Sequence, residues 1–108
     1  MARRVERGDI WLYRFGRPDK RRPVLVLSRP AALTHLRTAI VAPITTTIHG
    51  LPSEASVGVA DGLKVESVAN LDHLLTVPQA ELRTYVGHLD DARMRAVCEA
   101  AEVALGCR

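Results

Sequence analysis

The clearest strand signal in this 108-residue sequence is one short segment, Lys20-Arg21-Arg22-Pro23-Val24-Leu25-Val26-Leu27-Ser28. Its second half, residues 24–28, is apolar at nearly every position, which predicts a strand buried on both faces in the middle of a sheet. Its first half is basic, so the chain runs from a charged turn directly into the core. We therefore expect cationic side chains at the mouth of a rigid strand.

Strand and turn signals continue on both sides of this segment. Residues 10–13 are aromatic and aliphatic and predict a strand, and residues 16–20 predict a basic turn. Residues 30–36 predict a short helical turn, and residues 38–47 predict a third strand. Pro43 in that strand has no N–H to donate, so we expect residues 44–45 to lie at an edge or bulge of the sheet.

The next part of the chain predicts loops and then one long strand. Glycine and proline residues between positions 48 and 64 indicate loops around a short strand at residues 55–59. Residues 67–77 predict a continuous strand that ends at Pro78. Regular alternation along it would place Asn70 and Asp72 on one face and Ser67 on the other. A last strand is predicted at residues 83–89.

The carboxyl-terminal residues predict an amphipathic helix. Asp90 is a suitable N-cap and Gly106 a suitable end, and the apolar positions between them recur with helical spacing. These positions are Met94, Val97, Cys98, Ala101 and Leu105. Several short strands with one terminal helix predict a mainly β fold, a small barrel or curved sheet, in a single domain over residues 1–108.

Composition narrows the class of protein. The sequence is 47% hydrophobic and 25% charged, which is typical of globular chains and excludes disordered and fibrous proteins. Its apolar runs are far shorter than the ~20 residues that cross a bilayer. The amino-terminal residues carry no apolar signal segment, so we expect a cytoplasmic protein without membrane contact, in which Cys98 and Cys107 are reduced.

The distribution of charge suggests an anionic partner. Residues 1–37 contain ten Lys or Arg against three Asp or Glu, a net charge of +7, whereas the remainder carries five against nine, a net charge of −4. Clustered cations of this kind attract nucleic acid or an acidic protein segment. The alternative, equally favoured by charge alone, is an ordinary solvated surface.

Few residue patterns remain that could carry chemistry. The four histidines, His35, His49, His73 and His88, are predicted in different elements, so we expect neither a metal site nor a cofactor. No phosphate-binding glycine loop or serine-hydrolase motif is present. What remains is Arg22 at the start of the central strand and Thr45 at the end of the next one. An arginine and a hydroxyl in these places could bind one phosphate; the alternative is a basic turn and a β-branched strand end.

Four segments together resemble the MazF/PemK family of bacterial toxins. The resemblance extends from Arg7 to the terminal helix and includes the order and approximate spacing of the segments. They are residues 7–11 (RGDIW), 20–28 (KRRPVLVLS), 41–45 (VAPIT) and 62–77 (GLKVESVANLDHLLTV).

The resemblance implies a fold, an activity and a set of partners. The fold is a small SH3-like β-barrel with a carboxyl-terminal helix, assembled as a homodimer. The activity is metal-independent endoribonuclease cleavage of single-stranded RNA at short sequences, by attack of the RNA 2′-hydroxyl to give a 2′,3′-cyclic phosphate and a 5′-hydroxyl. A cognate antitoxin with an acidic disordered segment inhibits such toxins.

The resemblance also implies site residues. Arg22 and Thr45 take the positions of the catalytic pair, in which arginine stabilises phosphorane charge and threonine binds a non-bridging oxygen. Asp72 corresponds to an acidic position that is either a base or an RNA contact. The residues expected to bind substrate are Lys20, Arg21, Thr46, Ser67, Asn70 and Asp72.

One departure and one rival function accompany the resemblance. The loop before Arg22 is shorter than in many members and keeps Asp19 as its only acidic residue, so the base is open; His49 is one substitute, although a loop histidine without a role is the favoured reading. The rival is a toxin like CcdB, which shares the fold but binds gyrase through a carboxyl-terminal tryptophan region. This chain ends without a tryptophan.

Overall fold

Two antiparallel strands near the start of the chain, β1 (Asp9–Phe15) and β2 (Lys20–Val26), form the framework of the sheet. Their register pairs Trp11 with Val24 and Phe15 with Lys20. The structure is a computed structural model that describes residues 3–16 and 20–107. Arg17, Pro18 and Asp19, from the predicted basic turn, lie outside the described residues.

In the described residues, the remaining elements complete a curled seven-stranded sheet and add two helices. They are α1 (Pro30–His35), β3 (Thr38–Thr45), β4 (Glu54–Val57), β5 (Ser67–Asn70), β6 (Leu75–Pro78), β7 (Thr84–His88) and α2 (Asp91–Leu105). Three short 3-10 turns lie at Val59–Asp61, Leu71–His73 and Gln79–Glu81. The strand order is β4-β5-β3-β2-β1-β7, and β6 pairs with β3 beyond the end of β5.

Strand β3 changes partners along its length. On one edge its first residues pair with β6, and its last two pair with β5, Ile44 opposite Ala69 and Thr45 opposite Val68. On the other edge the pairing with β2 extends to Pro43, opposite Val24, and stops there. The edge expected at residues 44–45 is therefore present only on the β2 side, where Pro43 cannot donate to the ladder, because on the other side both residues pair with β5.

The predicted continuous strand over residues 67–77 is wrong. The chain leaves the sheet after Asn70, makes the 3-10 turn Leu71–His73 and returns as β6. The side chain of Asn70 initiates this turn by accepting a hydrogen bond from the Asp72 N–H at 3.0 Å. Strand alternation therefore does not apply beyond Asn70, and the expectation that Asn70 and Asp72 point the same way is also wrong.

Each face of the sheet packs its own hydrophobic cluster. One face packs against α2 through residues that include Ile10, Leu25, Leu71 and Val97. The other face carries a second cluster. Its buried members are Trp11, Val24, Val26, Ala39, Val41, Val77 and Leu82. The mainly β fold with a carboxyl-terminal helix is thus confirmed.

Helix α2 begins and ends as the sequence predicts. The Asp90 carboxylate accepts a hydrogen bond from the Arg93 N–H at 2.8 Å, and Gly106 ends the helix with a φ of +69°. Met94 and Val97 are buried, but Leu105, the last residue of the helix, is 63% exposed. Within the described residues, neither helix is long and apolar enough to cross a membrane.

Candidate active-site cleft

An open cleft of about 390 Å³ is lined by residues from the start of β2, from the ends of β3 and β5, and from the segments next to them. The β1–β2 hairpin contributes Phe15, Lys20 and Arg22. The end of β3 and the loop after it contribute Pro43, Ile44, Thr45, Thr47 and His49, and β5 with the turn after it contributes Asn70 and His73. Two cations, two hydroxyls, an amide and two imidazoles thus face one space.

Strand alternation decides which basic residues reach the cleft. Successive side chains of β2 point to opposite faces, so Lys20 and Arg22 line the cleft and Arg21 does not. Arg21 lies on the opposite face, where its guanidinium donates a hydrogen bond to the Thr84 hydroxyl at 2.6 Å. There it borders a second depression together with Arg14 and Arg83.

Arg22 and Thr45 both line the cleft, each two residues beyond the last pair between β2 and β3. Val24 is opposite Pro43, and the same register continued by two residues would place Arg22 opposite Thr45, on the same face. Thr45 Oγ1 accepts a hydrogen bond from the Thr47 N–H at 3.1 Å. Because this amide occupies a lone pair of the oxygen, the hydroxyl hydrogen is directed elsewhere and can be donated to a ligand.

The turn after β5 fixes the orientation of one imidazole. Asn70 Oδ1 accepts from the Asp72 N–H, so the amide nitrogen of Asn70 is the group that faces His73 Nδ1, at 3.2 Å. An NH₂ group can only donate, so His73 Nδ1 is the acceptor. The proton of the neutral ring is then on Nε2.

The second imidazole is carried by a loop that one carboxylate fixes in place. Glu54 Oε1 on β4 accepts hydrogen bonds from the backbone N–H groups of His49 at 3.1 Å and Leu51 at 3.2 Å. Gly50 between them has a φ of +72°, which a glycine adopts without strain. The described residues that line the cleft include no Asp or Glu.

Several residues expected to bind substrate are not brought into the cleft. Ser67 is 5% exposed and donates its hydroxyl to the Val65 carbonyl at 3.1 Å. Asp72 Oδ2 accepts a hydrogen bond from the Ser53 hydroxyl at 2.5 Å and is not among the lining residues. Thr46 follows the end of β3 on the surface, and its neighbour Thr47 lines the cleft in its place.

Aromatic residues support the cleft from the side of β1. Phe15 lines it and packs edge-on against Tyr13, with ring centroids 5.0 Å apart. Burial, and after it the nearby Glu81 carboxylate, raises the pKa of Tyr13, so its phenol is uncharged at neutral pH. Trp11 is 2% exposed and donates its indole N–H to buried Asp9, so it belongs to the core and does not stack on a ligand.

Sequence reasoning assigned no role in the cleft to Phe15, Thr47 or His73, and favoured a loop without a role for His49. In a regular strand, His73 would lie on the opposite face from Asn70. The available signal was the turn chemistry of Asn70 followed by Asp72, since an asparagine often accepts a hydrogen bond from the N–H two residues later. Within the described residues, no three His, Cys, Asp or Glu side chains converge as metal ligands do.

Comparison with known proteins identifies the family to which the chain belongs. Residues 6–105 match the family described as the PemK-like, MazF-like toxin of type II toxin–antitoxin systems. The chain belongs to this family. It is 47% identical over 102 residues to the probable endoribonuclease MazF5 of Mycobacterium tuberculosis (strain ATCC 25618 / H37Rv), which covers 94% of this chain and 93% of that protein.

Solved structures of MazF toxins share the fold. The Mycobacterium tuberculosis toxin MazF-mt6 superimposes with a TM-score of 0.81 at 37% identity, over 91% of this chain and 96% of that one. A mycobacterial endoribonuclease solved in complex with its cognate antitoxin superimposes with a TM-score of 0.86 at 28% identity, over 96% of this chain and 97% of that one. The half-barrel sheet with its terminal helix is therefore the fold of MazF toxins.

Proposed function

We propose that this MazF-type toxin, an endoribonuclease, cleaves single-stranded RNA at short sequences without a metal ion. The RNA supplies its own nucleophile: the 2′-hydroxyl attacks the adjacent phosphorus, the bond to the 5′-oxygen breaks, and the products are a 2′,3′-cyclic phosphate and a 5′-hydroxyl. The observation that carries the proposal is that the Arg22 guanidinium and the Thr45 hydroxyl line one open cleft.

Arg22 and Thr45 have different roles in the proposed reaction. Negative charge accumulates on the phosphorane oxygens, and the Arg22 guanidinium, which is cationic before the reaction, stabilises it and can pass a proton to the more basic 5′-oxygen as that oxygen departs. Thr45 donates to a non-bridging oxygen, with its own oxygen held by the Thr47 N–H. A donor placed in advance in this way accounts for about 3 kcal/mol of the barrier.

Substrate binding is proposed for the cleft residues beside this pair. Lys20 is suited to a flanking phosphate, and Asn70 and Thr47 to polar groups of the nucleotide. Arg21, Thr46, Ser67 and Asp72 were also expected to bind RNA. Their positions outside the cleft do not support that role, and Ser67 and Asp72 are already hydrogen-bonded within the protein.

The proposed partners follow from the family. A cognate antitoxin neutralises the toxin, and we propose that an acidic disordered segment of it covers the basic cleft and folds on binding. We propose that the toxin is a cytoplasmic homodimer and that residues 1–108 of each subunit form a single domain. Light scattering after gel filtration tests the dimer, and addition of the antitoxin to the nuclease assay tests the inhibition.

The direct test is an RNA cleavage assay in EDTA. Purified protein is incubated with a long single-stranded RNA and the new ends are mapped; cuts at one short motif with 5′-hydroxyl ends are expected. A substrate with a 2′-deoxynucleotide at the mapped site should resist cleavage. Cleavage of this substrate, or activity that depends on added metal, would contradict the mechanism.

The gyrase-binding alternative receives little support. Toxins like CcdB use a carboxyl-terminal tryptophan region, whereas the single tryptophan of this chain is Trp11, which is buried in the core. A supercoiling assay with gyrase separates the two functions, because only a gyrase poison traps the cleaved DNA complex.

A further inference from the structure

The cleft contains two imidazoles whose ring nitrogens are in different states, and this difference assigns them different roles. We propose that His49 is the general base that accepts the proton of the RNA 2′-hydroxyl, and that His73 is a neutral donor that binds a phosphate oxygen through Nε2–H. The proposal rests on the proposed ribonuclease function and goes beyond it by naming the proton acceptor.

His73 is unsuited to be the base because its acceptor nitrogen is already used. The Asn70 amide donates to Nδ1 at 3.2 Å, and the orientation of this amide is set by the Asp72 N–H on its oxygen. The remaining nitrogen, Nε2, carries the ring proton and can only donate. Such a neutral donor can stabilise charge on a phosphate oxygen without taking part in proton transfer.

The His49 ring differs from the His73 ring in the hydrogen bonding of its nitrogens. Its hydrogen bonds in the described part of the chain are made by its backbone N–H to Glu54, so the ring nitrogens are available to a ligand. His49 lies two residues after Thr47 in the same loop, and the Thr47 N–H orients the Thr45 hydroxyl. The imidazole is thereby carried into the same cleft as Arg22 and Thr45.

Carboxylates do not compete with His49 among the described cleft residues. Glu54 binds the loop backbone and acts as a positioning residue, and Asp72 accepts the Ser53 hydroxyl outside the cleft. The charged groups that share the cleft with the two imidazoles are Lys20 and Arg22, both cationic.

The proton balance of the reaction is then complete. A nitrogen of His49 takes the 2′-hydroxyl proton as the 2′-oxygen bonds to phosphorus. The bond between phosphorus and the 5′-oxygen breaks, and its electron pair leaves on that oxygen, which takes a proton from Arg22. Water then removes the extra proton from the His49 imidazolium and returns one to Arg22.

The pH dependence of His49→Gln is the first test. Single-turnover cleavage by the unmodified protein should rise with pH through the range in which an imidazole loses its proton, near pH 6.5 in unstructured peptides. His49→Gln should lower the plateau rate about 10²- to 10⁴-fold and abolish this rise. Circular dichroism and RNA binding by fluorescence anisotropy check that the variant is folded.

Chemical rescue distinguishes a base from a structural residue. Free imidazole should restore cleavage to His49→Ala in proportion to its unprotonated fraction, and should not restore it to His73→Ala. His73→Gln, which keeps an N–H donor, should retain more activity than His73→Ala, and both should keep the pH-dependent rise. His35→Gln is the matched control, because His35 lies on α1 outside the cleft.

The outcomes separate this proposal from the function on which it rests. If the unmodified protein makes no 5′-hydroxyl ends, the ribonuclease proposal itself fails. If it does, and His49→Gln cleaves within threefold of it or keeps the pH-dependent rise, only the assignment of the base fails. If Asp19→Asn or His73→Gln loses the pH-dependent rise while His49→Gln keeps it, another residue is the base and the proposal is overturned.

Discussion

The two faces of the β1–β2 hairpin contain adjacent arginines in very different surroundings. Arg22 faces a cleft that it shares with a threonine hydroxyl, an asparagine amide and two imidazoles. Arg21 faces the opposite side, where its neighbours are Arg14, Arg83 and Glu81 and its guanidinium is bonded to Thr84. Both faces are basic, and the depressions on them are similar in volume, about 390 Å³ and about 480 Å³.

In the proposed mechanism, positive charge alone does not make a reaction site. Cations on either face can attract RNA at long range. On the cleft face, however, the end of β3 contributes a donor hydroxyl to the space that Arg22 lines, and a 3-10 turn adds an imidazole hydrogen-bonded to Asn70. Neighbouring residues that the fold separates onto different sides therefore provide matched pairs of variants.

The largest difference is expected between Arg22→Ala and Arg21→Ala. Removing Arg22 should lower the single-turnover rate of RNA cleavage about 10²- to 10³-fold, because the phosphorane loses a donor placed in advance. Removing Arg21 should change this rate less than about threefold at saturating protein, because Arg21 points away from the cleft. Quenched-flow cleavage of an oligonucleotide with one site measures both.

Retained RNA binding is the control for this pair. Arg22→Ala should still bind a non-cleavable 2′-deoxy analogue, so that the loss is in chemistry and not in affinity. Equal losses of rate in the two variants would show that both faces contribute to the reaction.

A smaller effect is expected from the threonines that follow Pro43. Thr45→Val removes the hydroxyl and keeps the side-chain shape, and should slow cleavage roughly 10- to 100-fold, the value of one hydrogen bond to a charged group. Thr46→Val, on the neighbouring surface position, should cleave at nearly the unmodified rate. A reversal of this order in the same assay would move the reacting phosphate away from Thr45.

Much of the fold could be predicted because its signals are local. The apolar residues 24–28, the proline in β3, the Asp90 cap and the Gly106 end each act within a few residues. The structure contains the cap and the helix end as expected, whereas β2 ends at Val26 and residues 44–45 still pair with β5. The strand predicted over residues 67–77 failed for a local reason as well. The Asn70 side chain competes with the ladder for the backbone, and the resulting turn is invisible to a count of apolar residues.

The composition of the cleft depends on contacts between distant segments, and for that reason the sequence predicted it less well. Strand alternation predicts that Arg21 and Arg22 point to opposite faces, because it requires only that both residues lie in β2. That His49 and His73 share a cleft depends on how the loop after β3 and the turn after β5 come together. No spacing along the chain encodes this, because 23 residues that include β4 and β5 lie between the two histidines.

The tautomer of His73 offers a test with a smaller kinetic effect. Asn70→Asp keeps the oxygen that accepts the Asp72 N–H and replaces the amide donor with an acceptor, so His73 should switch from the Nε2–H to the Nδ1–H form. Two-bond ¹H–¹⁵N correlation spectra report the tautomer directly, and cleavage should fall roughly two- to tenfold. An unchanged tautomer would mean that Asn70 does not control the ring.

The smallest effect is expected in the salt dependence of RNA binding. Lys20 lines the cleft and Arg21 does not, so only Lys20 is placed to contact a backbone phosphate of bound RNA. Lys20→Ala should reduce the slope of log Kd against log salt by about 0.7, the value for one phosphate contact to a single strand. Arg21→Ala should leave the slope unchanged, because a charge on the far face adds long-range attraction without releasing a counterion from bound RNA. A lower slope in Arg21→Ala would instead mean that RNA passes around the hairpin edge, and the opposite face would then have to be counted as part of the binding surface.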